Sequence, residues 1–109
     1  MVVINMVFFK GDVLRVKRFI YWHYGIYIND NCVIHYSCAP SHWWKVKASI
    51  KQASLKDFLG KSVRSEVYYR DIENGEKIAA KAFARLGEKK YSLLLNNCKH
   101  LVIYCMSEI

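Results

Sequence analysis

The sequence predicts an α+β domain, an antiparallel sheet packed against a few helices. Three observations predict it. Two strand-like runs, 24–28 and 32–36, flank the turn-forming Asn29-Asp30-Asn31; other stretches repeat apolar residues at helical spacing; and a single proline in 109 residues leaves no linker to divide the chain. We therefore expect residues 1–109 to form one domain with one modest core, for which 53% apolar and 15% aromatic residues are ample.

The elements follow in order. Residues 2–9 are an apolar run, and Gly11-Asp12 turns the chain into a strand over 13–16. The runs 24–28 and 32–36 form a hairpin, because Asn and Asp tolerate the positive φ of its turn. His23 then stands at the mouth of one strand and His35 on its partner. Paired antiparallel, the two imidazoles lie side by side or diagonal, within hydrogen-bond reach.

Residues 45–50 read as a further strand. Ser54-Leu55-Lys56-Asp57 is similar to a capping box, with Asp in place of Glu, and starts a short helix. Residues 63–69 alternate as another strand. After Asn74, the residues Ile78, Ala79, Ala82, Phe83 and Leu86 share one helical face, which Gly87 is placed to end. A last helix starts near Asn97 as N-cap, with Cys98, Leu101, Val102 and Cys105 at i, i+3, i+4 and i+7. Its apolar face thus begins with a thiol. A thiol in the first turn of a helix lies near unsatisfied backbone N–H groups, which favours thiolate over a free-cysteine pKa of about 8.5.

Charge and cysteine usage narrow the partners. Seventeen Lys and Arg against nine acids give a net charge of +8. The cations are scattered over Lys10, Arg15, Lys17, Arg18, Lys45, Lys47, Lys51, Lys89 and Lys90, a pattern that suits either a solvated surface or an anionic phospholipid layer. No nucleic-acid partner is expected. Trp43 and Trp44, followed by Lys45 and Lys47, suit an interfacial loop at a peripheral membrane surface, and equally a buried pair. No apolar run approaches the roughly 18 residues of a membrane span, and no signal-peptide pattern is present. Cys32, Cys38, Cys98 and Cys105 form no C-x-x-C pair, and Cys32 and Cys38 are expected as packed thiols. Reduced thiols and the missing export signal point to the cytoplasm, with peripheral membrane contact.

Four stretches carry a resemblance: Gly11-Asp12-Val13-Leu14, Trp22-His23-Tyr24-Gly25-Ile26-Tyr27-Ile28, Val33-Ile34-His35, and Asn97-Cys98-Lys99-His100-Leu101. In this order they resemble the lecithin:retinol acyltransferase family, which includes the HRAS-like suppressor phospholipase/acyltransferases and belongs to the permuted papain-like NlpC superfamily. His23-Tyr24-Gly25-Ile26-Tyr27, and Tyr91-Ser92-Leu93-Leu94 leading into Asn96-Asn97-Cys98, look more like the retinol acyltransferase branch. Lys99 and Leu101 stand where the family has Glu and Phe. The reacting atoms are untouched, and a cation beside the thiol further favours thiolate.

The resemblance implies a circularly permuted papain-like fold with its nucleophile, Cys98, at a helix N-terminus. It implies His23 as general base and His35 as the residue that orients it. Taken alone, a cysteine on an apolar helical stripe is a small core residue; the two histidines and the flanking motifs favour catalysis. Tyr21 and Tyr91 are accessory candidates for positioning the carbonyl or its oxyanion, against ordinary packing of amphipathic rings. His42 is expected in an exposed loop, and His100 as structural.

Two histidines and a cysteine raise the question of zinc. Their spacing matches no zinc signature, and Cys98 and His100 diverge by about 200° on one helix, so neither metal nor cofactor is expected. The chemistry implied is acyl transfer from a phospholipid through a thioester, to water, an amine or an alcohol such as retinol. Two other readings stay open: a non-enzymatic interaction module, as in picornaviral 2A proteins that keep the histidine and Asn-Cys motifs, and a papain-like peptidase or amidase.

Overall fold

The computed structural model describes residues 7–18, 21–42, 45–62 and 64–87, and of residues 18, 21, 36–42 and 45–48 the backbone alone. Its elements are β1 (Val13–Arg18), β2 (Tyr21–Asn29), β3 (Cys32–His42), β4 (Lys45–Ala53), α1 (Leu55–Leu59), β5 (Ser65–Tyr69) and α2 (Gly75–Ala84). The strands form one open antiparallel sheet in the order β4-β3-β2-β1-β5. β1 to β4 run as a meander. α1 then carries the chain from one edge of the sheet to the other, where β5 pairs with β1. The α+β architecture is thus as the sequence predicts. Among the described residues no helix is long and apolar enough to cross a membrane.

Side-chain alternation along the strands gives each helix its own face of the sheet. Val13, Tyr24, Ile26, Ile28, Cys32, Ile34 and Ile50 pack against Ile78, Ala79 and Ala82 of α2. On the other face Leu14, Val16, Tyr27 and Val33 pack against Phe58 of α1, with Phe8, Leu55, Leu59 and Val67 around them. Each fully buried isoleucine contributes roughly 2 kcal/mol of hydrophobic stabilisation. Cys32 is one of the packed thiols expected: its Sγ donates to Gln52 Oε1 at 3.3 Å, and burial raises its pKa.

The β2–β3 turn forms where Asn29, Asp30 and Asn31 predict it. Asn29 Oδ1 accepts the Asn31 N–H at 2.8 Å, and Asp30 Oδ1 accepts the Tyr27 hydroxyl at 2.6 Å. The Asp30 carbonyl also accepts the Leu55 N–H at 2.9 Å, tying α1 to this turn. Ser54 caps α1 as expected, its Oγ accepting the Asp57 N–H at 3.1 Å.

Three expectations need adjustment. β3 continues through His42, which had been expected in a loop. Pro40 lacks a ladder donor, but β3 keeps its partner β4 to His42 by shifting register between the two residues. β5 begins at Ser65, shorter than the 63–69 run. On α2, Phe83 is 43% and Leu86 40% exposed although both fall on the predicted apolar face. At about 100° per residue Phe83 lies on the rim of that face. Leu86 lies beyond the last helical residue, Ala84. Gly87, at φ 92°, donates its N–H to Ile50 O at 2.7 Å and so fastens this end to β4.

The start of β1 is held from two sides. Asp12, 2% exposed, accepts from the Phe9 N–H at 2.8 Å and from Arg70 Nε and Nη2 at 2.9 and 2.7 Å. Gly11, at φ 91°, lies so close to the first turn of α2 that a Cβ there would stand 2.4 Å from the Gly75 Cα. Gly11→Ala combines left-handed strain with a clash against backbone that cannot swing aside, and should cost about 3 kcal/mol. A urea unfolding curve with its midpoint unchanged would show that the turn relaxes freely.

Candidate active site

His23 and His35 meet on the α1 face of the sheet. Gly25 of β2 pairs with His35 of β3, and His23, two residues from Gly25, lies on the same face. The imidazoles are therefore diagonal neighbours. His23 Nε2 and His35 Nδ1 stand 3.0 Å apart, with the rings edge to face at 83°. Such a contact needs one N–H and one lone pair, so it couples the tautomers of the two rings. His23 is the third residue of β2, slightly inside the strand whose mouth it was expected to occupy.

Phe58 closes over this pair from α1. It is 1% exposed, and its ring centroid lies 5.4 Å from that of His23 and 5.6 Å from that of His35. Gly25 makes the approach possible, since a Cβ there would lie 2.7 Å from Phe58 Cε1 and 2.8 Å from Val33 Cγ1. The result is an imidazole pair with an apolar wall, in which water has little access to the ring faces turned towards Phe58.

Neither Phe58 nor Gly25 was singled out from the sequence. Gly25 carried a signal, because a glycine inside a strand pattern often marks a close approach of another group. Phe58 carried less: it is one apolar residue, four positions after the cap of a short helix. That it would land on the histidines depends on how α1 crosses the sheet.

The other site candidates divide by location. Tyr21 opens β2, its backbone paired with Arg18. Cys98 and Tyr91 lie outside the described residues, as do the predicted helix from Asn97 and His100. Cys32 packs on the α2 face, away from the imidazoles.

Comparison with known proteins points to the same family. The family model of lecithin retinol acyltransferase matches residues 7–108. Lecithin retinol acyltransferase of Rattus norvegicus is 33% identical, over 90% of this chain and 54% of its own length. Phospholipase A and acyltransferase 1 of the same species is 32% identical, over 84% of this chain and 64% of its own. Phospholipase A and acyltransferase 4 of Homo sapiens is 30% identical, over 84% and 65% respectively. The chain thus spans about half the length of the lecithin retinol acyltransferases it matches. With a diagonal histidine pair in the sheet and a match along nearly its whole length, the chain belongs to the lecithin retinol acyltransferase family.

Proposed function

We propose that this chain is a single catalytic domain that moves acyl groups from phospholipids through a thioester on Cys98, acting as a phospholipid acyltransferase and phospholipase A. The observation that carries this reading is the 3.0 Å contact between His23 Nε2 and His35 Nδ1. For His23 to take a proton at Nδ1, its own proton must sit on Nε2 and be donated to the lone pair of His35 Nδ1. The contact joins the two nitrogens that this arrangement requires. In the same reading the sheet is that of a permuted papain-like fold, with Cys98 at a helix N-terminus facing His23.

The reaction then runs in two halves. His23 removes the thiol proton, and the Cys98 sulfur attacks the ester carbonyl. Backbone N–H groups at the start of the helix stabilise the oxyanion, with Tyr21 and Tyr91 as accessory donors. The ester C–O bond breaks, His23 returns the proton to the leaving oxygen, and a lysophospholipid departs. Water, an amine or an alcohol such as retinol next gives its proton to His23 and attacks the thioester, and Cys98 leaves as thiolate. Work of this kind is done at a membrane surface, reached peripherally from the cytoplasm.

Intact-mass measurement after incubation with a short-chain phosphatidylcholine tests the proposal. The protein should gain the mass of one acyl chain, and peptide mapping should place it on Cys98. Absence of any adduct, with the lipid left intact, would favour a non-enzymatic interaction module instead.

A further inference from the structure

The opposite face of the sheet holds a second cluster at the same end as the histidines. Trp22, half-buried on β2, is surrounded by cations: Arg15 Cζ lies 4.2 Å, Lys17 Nζ 5.3 Å and Arg64 Cζ 5.4 Å from its ring centroid. Arg15 also lies 5.1 Å from the ring of Tyr68, which is 41% exposed. Glu66 answers one of the three charges, bonding Arg15 Nη2 at 2.9 Å. The elements hold these groups in register: Lys17 pairs with Trp22, Arg15 with Tyr24 and Glu66, and the Arg64 carbonyl accepts the Lys17 N–H at 2.9 Å. The chemistry of the imidazole pair makes no use of them.

We propose that this edge, formed by the end of β1 and the starts of β2 and β5, docks the protein on an anionic phospholipid surface. Lys17, Arg64 and Arg15 would meet lipid phosphates and carboxylates while the rings of Trp22 and Tyr68 sit at headgroup level. Indole and phenol rings mixed with Lys and Arg are the composition that suits a membrane–water interface. Single-stranded nucleic acid is the poorer fit, because base stacking needs an open aromatic face. Arg15 already lies over the Trp22 ring. Position supports the assignment as well. Trp22 and His23 are consecutive and point to opposite faces, so one docked edge brings the headgroup layer beside the strand end that carries the imidazole. The inference rests on the lipid-acting reading above and names the surface through which the lipid is met.

Partition onto phosphatidylserine–phosphatidylcholine vesicles, measured by co-sedimentation with the full chain, tests it. Lys17→Gln/Arg64→Gln should bind roughly tenfold more weakly than the parent, while the charge-matched control Lys56→Gln/Lys77→Gln stays within about twofold. The parent's binding should also fall as salt rises. Should the double variant unfold on thermal scanning, Arg64→Gln alone, at an exposed position, carries the comparison. No parental binding, equal loss in both pairs, or unchanged binding in the patch variant would overturn the assignment. So would patch-dependent capture of single-stranded RNA without vesicle binding. Partition is read without turnover. A chain that binds vesicles but neither acquires an acyl group nor consumes the lipid would sink the enzymatic reading and leave the docking edge standing, and the reverse pattern would do the opposite.

Discussion

Cys98→Ser and His23→Ala should each reduce acyl-adduct formation and phospholipid turnover by about a thousandfold or more, while His35→Ala retains activity roughly tenfold to a hundredfold below the parent. The asymmetry follows from the roles proposed. Serine is nearly isosteric with cysteine, but its hydroxyl is not ionised by a helix end, so the fold should persist without the nucleophile. Loss of His23 removes the group that takes the thiol proton. His35 acts on the reaction through the proton it accepts from His23 Nε2, so its loss leaves the base in place but without the acceptor that fixes its tautomer. His35→Gln offers an amide oxygen as substitute acceptor and should recover part of what His35→Ala loses. Single-turnover kinetics with a short-chain phosphatidylcholine would measure all four. Equal losses at His23 and His35, or no recovery with Gln, would contradict the division of labour.

The second large effect is expected at Gly25. Gly25→Ala places a methyl group where Phe58 Cε1 and Val33 Cγ1 would be 2.7 and 2.8 Å away. Val33 belongs to the sheet and has little room, so the Phe58 ring must withdraw. Overpacking of this kind costs about 1–3 kcal/mol. It should also lower turnover, because the wall over His23 and His35 moves with the ring. The double variant Gly25→Ala/Phe58→Leu separates the two consequences. The smaller leucine relieves the clash and should restore part of the urea midpoint, yet it restores no ring contact to the imidazoles. We expect its turnover to stay low, since the aliphatic side chain cannot replace the ring that flanks both imidazoles. Full recovery of turnover together with the urea midpoint would reduce Phe58 to a packing residue.

What could be read before the structure depended on whether the cause was local. Asn29-Asp30-Asn31 and Ser54 act through their own side chains within a few residues, and both formed the predicted turn and cap. The alternation of His23 and Gly25 with Tyr24 and Ile26 likewise made the imidazole pair legible, since strand geometry places residues two apart on one face. The reach of β3 to His42 was not legible from the run 32–36, because it depends on the neighbouring strand β4, which accommodates Pro40 by a register shift. Phe83 misled because a helical wheel shows which residues share a stripe but not how wide a stripe the sheet covers. The Phe58 lid depends on how α1 crosses β2 and β3, and the cluster around Trp22 on β5 pairing with β1, both between segments far apart in sequence. Periodicity holds no record of those.

The route of the chain from β4 over α1 to β5 has a bearing on how the protein is made. The four strands of the meander are joined by short connections and pair with sequence neighbours, which closes small loops at little entropic cost. β5 must find β1 from the far edge, across a separation such as Glu66 to Arg15. Strand pairing within the meander should therefore develop before β5 docks, in a species whose β2–β3 hairpin is formed while one edge of β1 is still open. On refolding from urea, the far-ultraviolet signal of the sheet should return ahead of acyl-transfer competence, and the interval between them would time the arrival of the last strand.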